Sequence, residues 1–101
     1  MTPNEPAVIS AAEMEKRLAS AVSRLFDLIP PSELARRLSR TADPITGRVR
    51  RITPQGVSKW ARNCRVPADR CLSVEVITEG ALSRYEMRPD VFGTPTELRV
   101  A

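Results

Sequence analysis

Two segments decide the fold: Glu33-Leu34-Ala35-Arg36-Arg37-Leu38, and Ile52-Thr53-Pro54-Gln55-Gly56-Val57-Ser58-Lys59-Trp60. In the first, Leu34, Ala35 and Leu38 recur at spacings of three and four and share one side of a helix, with Arg36 and Arg37 turned away. In the second, Thr53 is an N-cap, Pro54 suits the first helical position, and Val57, Trp60 and Ala61 supply an apolar side. The pattern predicts two short amphipathic helices that pack on each other. Between them runs a polar stretch, Ser39 to Arg51, with turn signals at Asp43-Pro44 and Thr46-Gly47. Weak alternation through Arg48-Val49-Arg50-Arg51-Ile52 leaves two readings open, a short hairpin or an unstructured loop.

Upstream, Ser10-Ala11-Ala12-Glu13 has the form of a capping box. From there Met14, Leu18, Val22, Leu25 and Ile29, with Ala21 and Leu28 beside them, form one apolar stripe. Pro30-Pro31 ends that helix and opens the next. Downstream, Pro67 restarts the chain, Cys71, Leu72, Val74 and Ile77 mark a fourth helix, and Gly80 is placed to cap it. Ser83-Arg84-Tyr85-Glu86 is a second capping box for a last short turn, limited by Pro89. Residues 1–9 and 93–101 have little periodic pattern and read as loose tails. The expected class is all-α, about five short helices in one domain over residues 10–92.

Composition narrows the chemistry. The chain of 101 residues has no histidine, which removes imidazole acid-base steps, Ser-His-Asp and Cys-His nucleophiles and His-ligated zinc. Cys64 and Cys71 are too few for a structural zinc site or a disulfide scaffold. A redox pair is the less favoured reading, because Cys71 lies on an apolar face and fits a small core residue. No acidic pair has a catalytic partner, so neither an enzyme nor a cofactor is expected. The amino terminus does not read as a signal peptide, and no apolar run approaches a membrane span, so a cytoplasmic protein without membrane contact is expected.

Charge is unevenly placed. Residues 34 to 71 hold ten basic side chains against Asp43 and Asp69, whereas residues 1 to 33 and 72 to 101 each hold three basic against five acidic. Nine of those ten are arginine, whose planar fork suits phosphate and guanine. A polyanion is the first partner to consider, and a solvated basic face is the alternative.

The small residue Ala35 on the first of the paired helices, with Ile52, Thr53, Val57 and Trp60 on the second, resembles the helix-turn-helix of Cro/CI-type repressors. Further on, Arg65-Val66-Pro67-Ala68-Asp69-Arg70-Cys71-Leu72, Thr78-Glu79-Gly80 and Arg84 to Phe92 are similar in order to the YdaS-like, Cro-related bacterial and prophage regulators. The resemblance spans roughly residues 33 to 92. It implies a DNA-binding helix-turn-helix domain, with some members belonging to toxin-antitoxin gene pairs. This chain departs from the family's tight Leu-Gly-Val/Ile turn, since thirteen residues separate Leu38 from Ile52. An insertion of that size is compatible with intact helix packing, because loop closure costs grow slowly with length. Pro54 replaces a frequent polar residue, and Glu79 a frequent glycine.

The resemblance, combined with helical geometry, assigns candidate roles. Thr53, Gln55, Ser58 and Lys59 are the candidate base-reading residues. Gln55 is suited to adenine, Lys59 to guanine or phosphate, and Ser58 to either a base or a phosphate. Arg36, Arg37, Arg40 and Arg62 are candidate phosphate contacts. Arg48, Arg50 and Arg51 would grip phosphates or enter a minor groove as a wing, or simply form a solvated loop. Trp60 is expected in the core. The expected partner is double-stranded operator DNA, bound as a homodimer, with Val76, Leu82, Tyr85, Met87, Val91 and Phe92 either forming that interface or closing the core. The competing function is a toxin-antitoxin component that binds a protein from an adjacent gene.

Overall fold

The computed structural model describes residues 10–93. The expected tails, residues 1–9 and 93–101, lie outside this range except for Gly93. The architecture is all-α, as expected: α1 (Ala11–Leu28), α2 (Pro31–Leu38), α3 (Pro54–Asn63), a 3-10 turn (Ala68–Arg70) leading into α4 (Cys71–Ile77), then α5 (Arg84–Met87) and α6 (Pro89–Phe92). The expected last turn is two helices, because Pro89 opens α6 as well as ending α5, contributing a first helical residue that needs no N–H partner.

The starts of α1, α3 and α5 have the expected side-chain caps. Ser10 Oγ accepts from the Glu13 N–H at 3.1 Å, Thr53 Oγ1 from Gly56 at 3.0 Å, and Ser83 Oγ from Glu86 at 3.2 Å. The two capping-box glutamates turn to arginines: Glu13 pairs with Arg17 and Glu86 with Arg24. The ends are less conventional. Helix α3 closes on Cys64 in the left-handed region, with the Cys64 N–H bonded to Ala61 O and the Arg65 N–H to Trp60 O. Helix α4 closes in the same way on Glu79, at φ 54°, with Gly80 following. The Gly80 N–H reaches Glu75 O and the Glu79 N–H reaches Val76 O, the paired bonds of a Schellman motif. The left-handed C′ position is therefore Glu79, one residue before the expected Gly80.

One contiguous core runs through α1 to α5. It includes Leu25, Leu34, Leu38, Val57, Trp60, Val66, Cys71, Val74, Leu82 and Met87. Ala35 is buried among them, the small residue that lets α2 and α3 approach. Leu82 and Met87 are core residues, so they offer no subunit surface in this fold. Val76 and Val91 are exposed, and Phe92 is half-buried against the core. Two inward expectations fail: Ala61 is exposed on α3, and Leu28 is exposed at the last turn of α1. Trp60 already fills the α3 seam, leaving the neighbouring small side chain at its rim.

Polar ties brace this core. Arg65 Nη2 donates to both carboxylate oxygens of Glu15 on α1, at 2.9 and 3.1 Å. Arg24 reaches Glu86 and, at 3.1 Å, Ala81 O. Arg88 donates to Val66 O at 3.1 Å and grips both carboxylate oxygens of Asp90 at 2.9 Å. Those hydrogen bonds hold the Asp90 carboxyl below the usual aspartate range.

Candidate nucleic-acid interface

Helix α3 has a buried side and a free one. Val57 and Trp60 anchor the first among the residues of α2, which fixes the rotation of the helix. The other side exposes Gln55, Ser58, Lys59 and Arg62 together, as 3.6 residues per turn requires. Pro54, Gln55, Ser58 and Arg62 line one shallow open depression. Among the described residues, no side-chain hydrogen bond or ion pair engages Gln55, Ser58, Lys59 or Arg62. Thr53 sits at the entrance, with its oxygen occupied by the cap. Gly56 belongs to the same first turn, where a Cβ would stand 3.0 Å from Ile52 Cγ1, a tight contact with that side chain.

The candidate phosphate-binding arginines fall into two sets. Arg36 and Arg37 both pair with Glu33 one turn earlier on α2 while remaining exposed. Their hydrogen bonds, Arg37 first, hold Glu33 below the ordinary glutamate value. Arg50 donates to Asp69 Oδ2 at 3.0 Å and to Asp69 O at 3.1 Å, which ties it to the 3-10 turn. Arg40, Arg48, Arg51 and Arg62 are exposed and have no ion pair among the described residues.

The stretch between α2 and α3 takes the hairpin alternative in minimal form. Ala42 and Val49 make a single antiparallel bridge. The Asp43 N–H donates to Arg48 O, and the Gly47 N–H donates to Asp43 O, both at 2.8 Å. The Asp43 carboxylate accepts from the amides of Ile45 at 2.8 Å and Thr46 at 3.0 Å, and these bonds, Thr46 first, hold its pKa down. Gly47 adopts φ 70°, which closes the turn at little steric cost.

Sequence reasoning missed the residues that fix this hairpin. The Ser39 hydroxyl donates to Ile52 O at 3.1 Å and accepts from the Ile52 N–H at 3.0 Å, clamping the two ends of the insertion. Arg70 donates to Arg50 O at 3.1 Å. Partial burial, and then the charge of Arg50, lower its pKa from the ordinary arginine value. Neither contact has a local sequence signal, since the partners lie 13 and 20 residues apart.

Cys64 is exposed and Cys71 buried, with no bond between them, and burial pushes the Cys71 thiol up to about 12, far from a reactive thiolate. Among the described residues, no cluster of His, Cys, Asp or Glu is arranged to hold a metal ion.

Residues 31–96 match the family described as bacterial toxin YdaS. The chain belongs to that family. No curated protein and no solved structure matches it. The YdaS match opens on the first residue of α2 and continues past α6, so it takes in the α2–α3 pair, the hairpin and the 3-10 turn, while α1 lies outside it.

Proposed function

We propose that this YdaS-family chain is a sequence-specific, double-stranded DNA-binding regulator that reads the major groove with the outer face of α3. The observation that carries the reading is the division of α3: Val57 and Trp60 are locked into the core, while Gln55, Ser58, Lys59 and Arg62 face outward without a side-chain partner among the described residues. A recognition helix needs that combination, because base-edge hydrogen bonds discriminate only when the helix presenting them is rigidly oriented. The arginine-rich middle of the chain supplies the nonspecific attraction to phosphate. A homodimer on a two-fold operator would provide the affinity that one reading helix lacks, with Val76 and Val91 as exposed candidates for the subunit contact. The chain would act in the cytoplasm without catalysing a reaction. Among the described residues, no helix is long and apolar enough to cross a membrane.

Titrating selected and scrambled duplexes at several salt concentrations tests this. Gln55→Ala should weaken the selected site by about 1 to 3 kcal/mol and leave scrambled DNA nearly unchanged, because a base-edge contact exists only at the right base. Arg62→Ala should weaken both and flatten the salt dependence. Equal losses for the two variants on both duplexes would reduce the protein to a nonspecific polyanion binder.

The family description favours a second reading, the toxin member of a toxin-antitoxin pair that is held by a protein from the adjacent gene. Growth arrest on induced expression, relieved by co-expressing the neighbouring gene and retained by Gln55→Ala, would support it over DNA reading.

A further inference from the structure

We propose that the hairpin between α2 and α3 is a minor-groove wing, with Ile45 at its tip wedged against a base step and Arg48 following the groove beside it. The proposal rests on the duplex-binding reading above and adds a second point of contact, in the sequence flanking the one that α3 reads.

Three observations converge on the hairpin. The first is its tip. Ile45 is 77% exposed, on a turn whose backbone is held by Asp43 and Gly47, and Val49 on the returning arm is 52% exposed. A bare isoleucine on a defined turn, next to Pro44, matches the apolar wedges that minor-groove binders insert between base pairs.

The second is charge. Residues 40 to 51 contain four arginines and one acid. Arg50 is engaged by Asp69, whereas Arg40, Arg48 and Arg51 have no ion pair among the described residues. The one acid, Asp43, directs its carboxylate onto the amides of its own turn. The hairpin segment thus carries a net positive charge, which suits a phosphate-lined groove, and arginine is drawn to the narrow minor groove of A·T-rich DNA.

The third is the mounting. Ser39 clamps Ile52, Arg50 is tied to Asp69, and Arg70 holds Arg50 O. Ile52 directly precedes the Thr53 cap of α3, so the base of the wing and the start of the reading helix share one fixed joint. An apolar wedge distorts DNA only when its base is held firmly enough to resist being pushed back.

The experiment uses duplexes recovered by the wild-type chain from a randomised pool and rebuilt with A·T or G·C flanks. Affinity is read by fluorescence anisotropy with and without netropsin, a minor-groove ligand, and bending by energy transfer between the duplex ends. The wild type should favour A·T flanks by about tenfold, lose that preference to netropsin and bend the duplex. Ile45→Ser should abolish the bend and Arg48→Ala the flank preference, both melting like the wild type because neither side chain is buried. If both variants keep wild-type affinity, flank preference and bend, the wing touches no groove, Ile45 is left for a protein surface, and the α3 reading stands. If the wild type recovers no duplex from the pool, the two readings fall together.

Discussion

Leu34, Ala35 and Leu38 of α2 meet Val57 and Trp60 of α3 with almost no surface left to water, whereas no residue between 42 and 49 is buried. The two regions are neighbours in the chain and owe their order to different forces. The helix pair is held by apolar burial, which is nondirectional and large in sum. The hairpin is held by a few directional bonds: a serine clamp, an Asx turn, one bridge and an arginine tie to Asp69. The helix pair should consequently fail only with the whole domain, and the hairpin should open alone. The division also suits the proposed roles, since a reading helix requires a fixed rotation and a wing requires only a fixed base.

The apolar seam is the costlier of the two regions to disturb. Trp60→Ala removes the largest side chain of the α2–α3 seam, which is 3% exposed, and should destabilise the fold by about 3 to 5 kcal/mol. Thermal melting followed by circular dichroism measures this. A variant that melts like the wild type but loses DNA affinity would make Trp60 a contact residue and α3 misrotated.

Next in size is the joint. Ser39→Ala deletes both bonds to the Ile52 backbone at a half-buried site and should cost about 1 to 2 kcal/mol. Amide exchange in residues 42 to 49 should rise by more than exchange in α2 or α3 does. An equal rise everywhere would mean that the hairpin and the helix pair open as one unit.

These two sites differ in how legible they are in the sequence. The helices, their serine and threonine caps and nearly all of the core follow from apolar spacing and local capping chemistry, because both act within a turn or two of the chain. The exposed positions of Gln55, Ser58, Lys59 and Arg62 follow from the same periodicity. The Ser39 clamp, the Arg50–Asp69 tie and the Arg70 bond to Arg50 O do not, since each joins residues 13 to 20 positions apart through polar atoms that leave no periodic trace. Ala61 departs from the expected inward position because a small side chain at the edge of an apolar stripe packs on either side of the boundary. The left-handed Glu79 was missed because glycine normally takes that position, and Gly80 stood beside it.

A third test removes the hairpin. Replacing Ala42 to Val49 with a short glycine-containing turn, while keeping Arg50 and the Ser39 clamp, should change stability by less than about 1 kcal/mol, since no fully buried residue is lost and a shorter loop costs less to close. Helicity by circular dichroism should be unchanged. A collapse would show that the hairpin helps to hold α2 against α3.

The smallest effect is confined to the tip. The amides of Thr46 and Ile45 bond to the ionised Asp43 carboxylate and hold its pKa below the ordinary 3.8, with help from the charges of Arg50 and Arg70. A depressed carboxylate stabilises the folded form above its unfolded pKa, and the contribution is lost as pH falls through the lower folded value. Acidification through and below the ordinary aspartate range should therefore shift the Ile45 and Thr46 amide resonances and speed their exchange while the Trp60 indole signal stays in place. Asp43→Asn, which keeps a neutral acceptor oxygen, should leave those two amides insensitive over the same interval. Because the carboxylate is exposed, global stability should change little, and the readout has to be local. If the two amides move only together with the Trp60 indole, the tip has no independent transition, and the hairpin shares the cooperative unit of the helix pair.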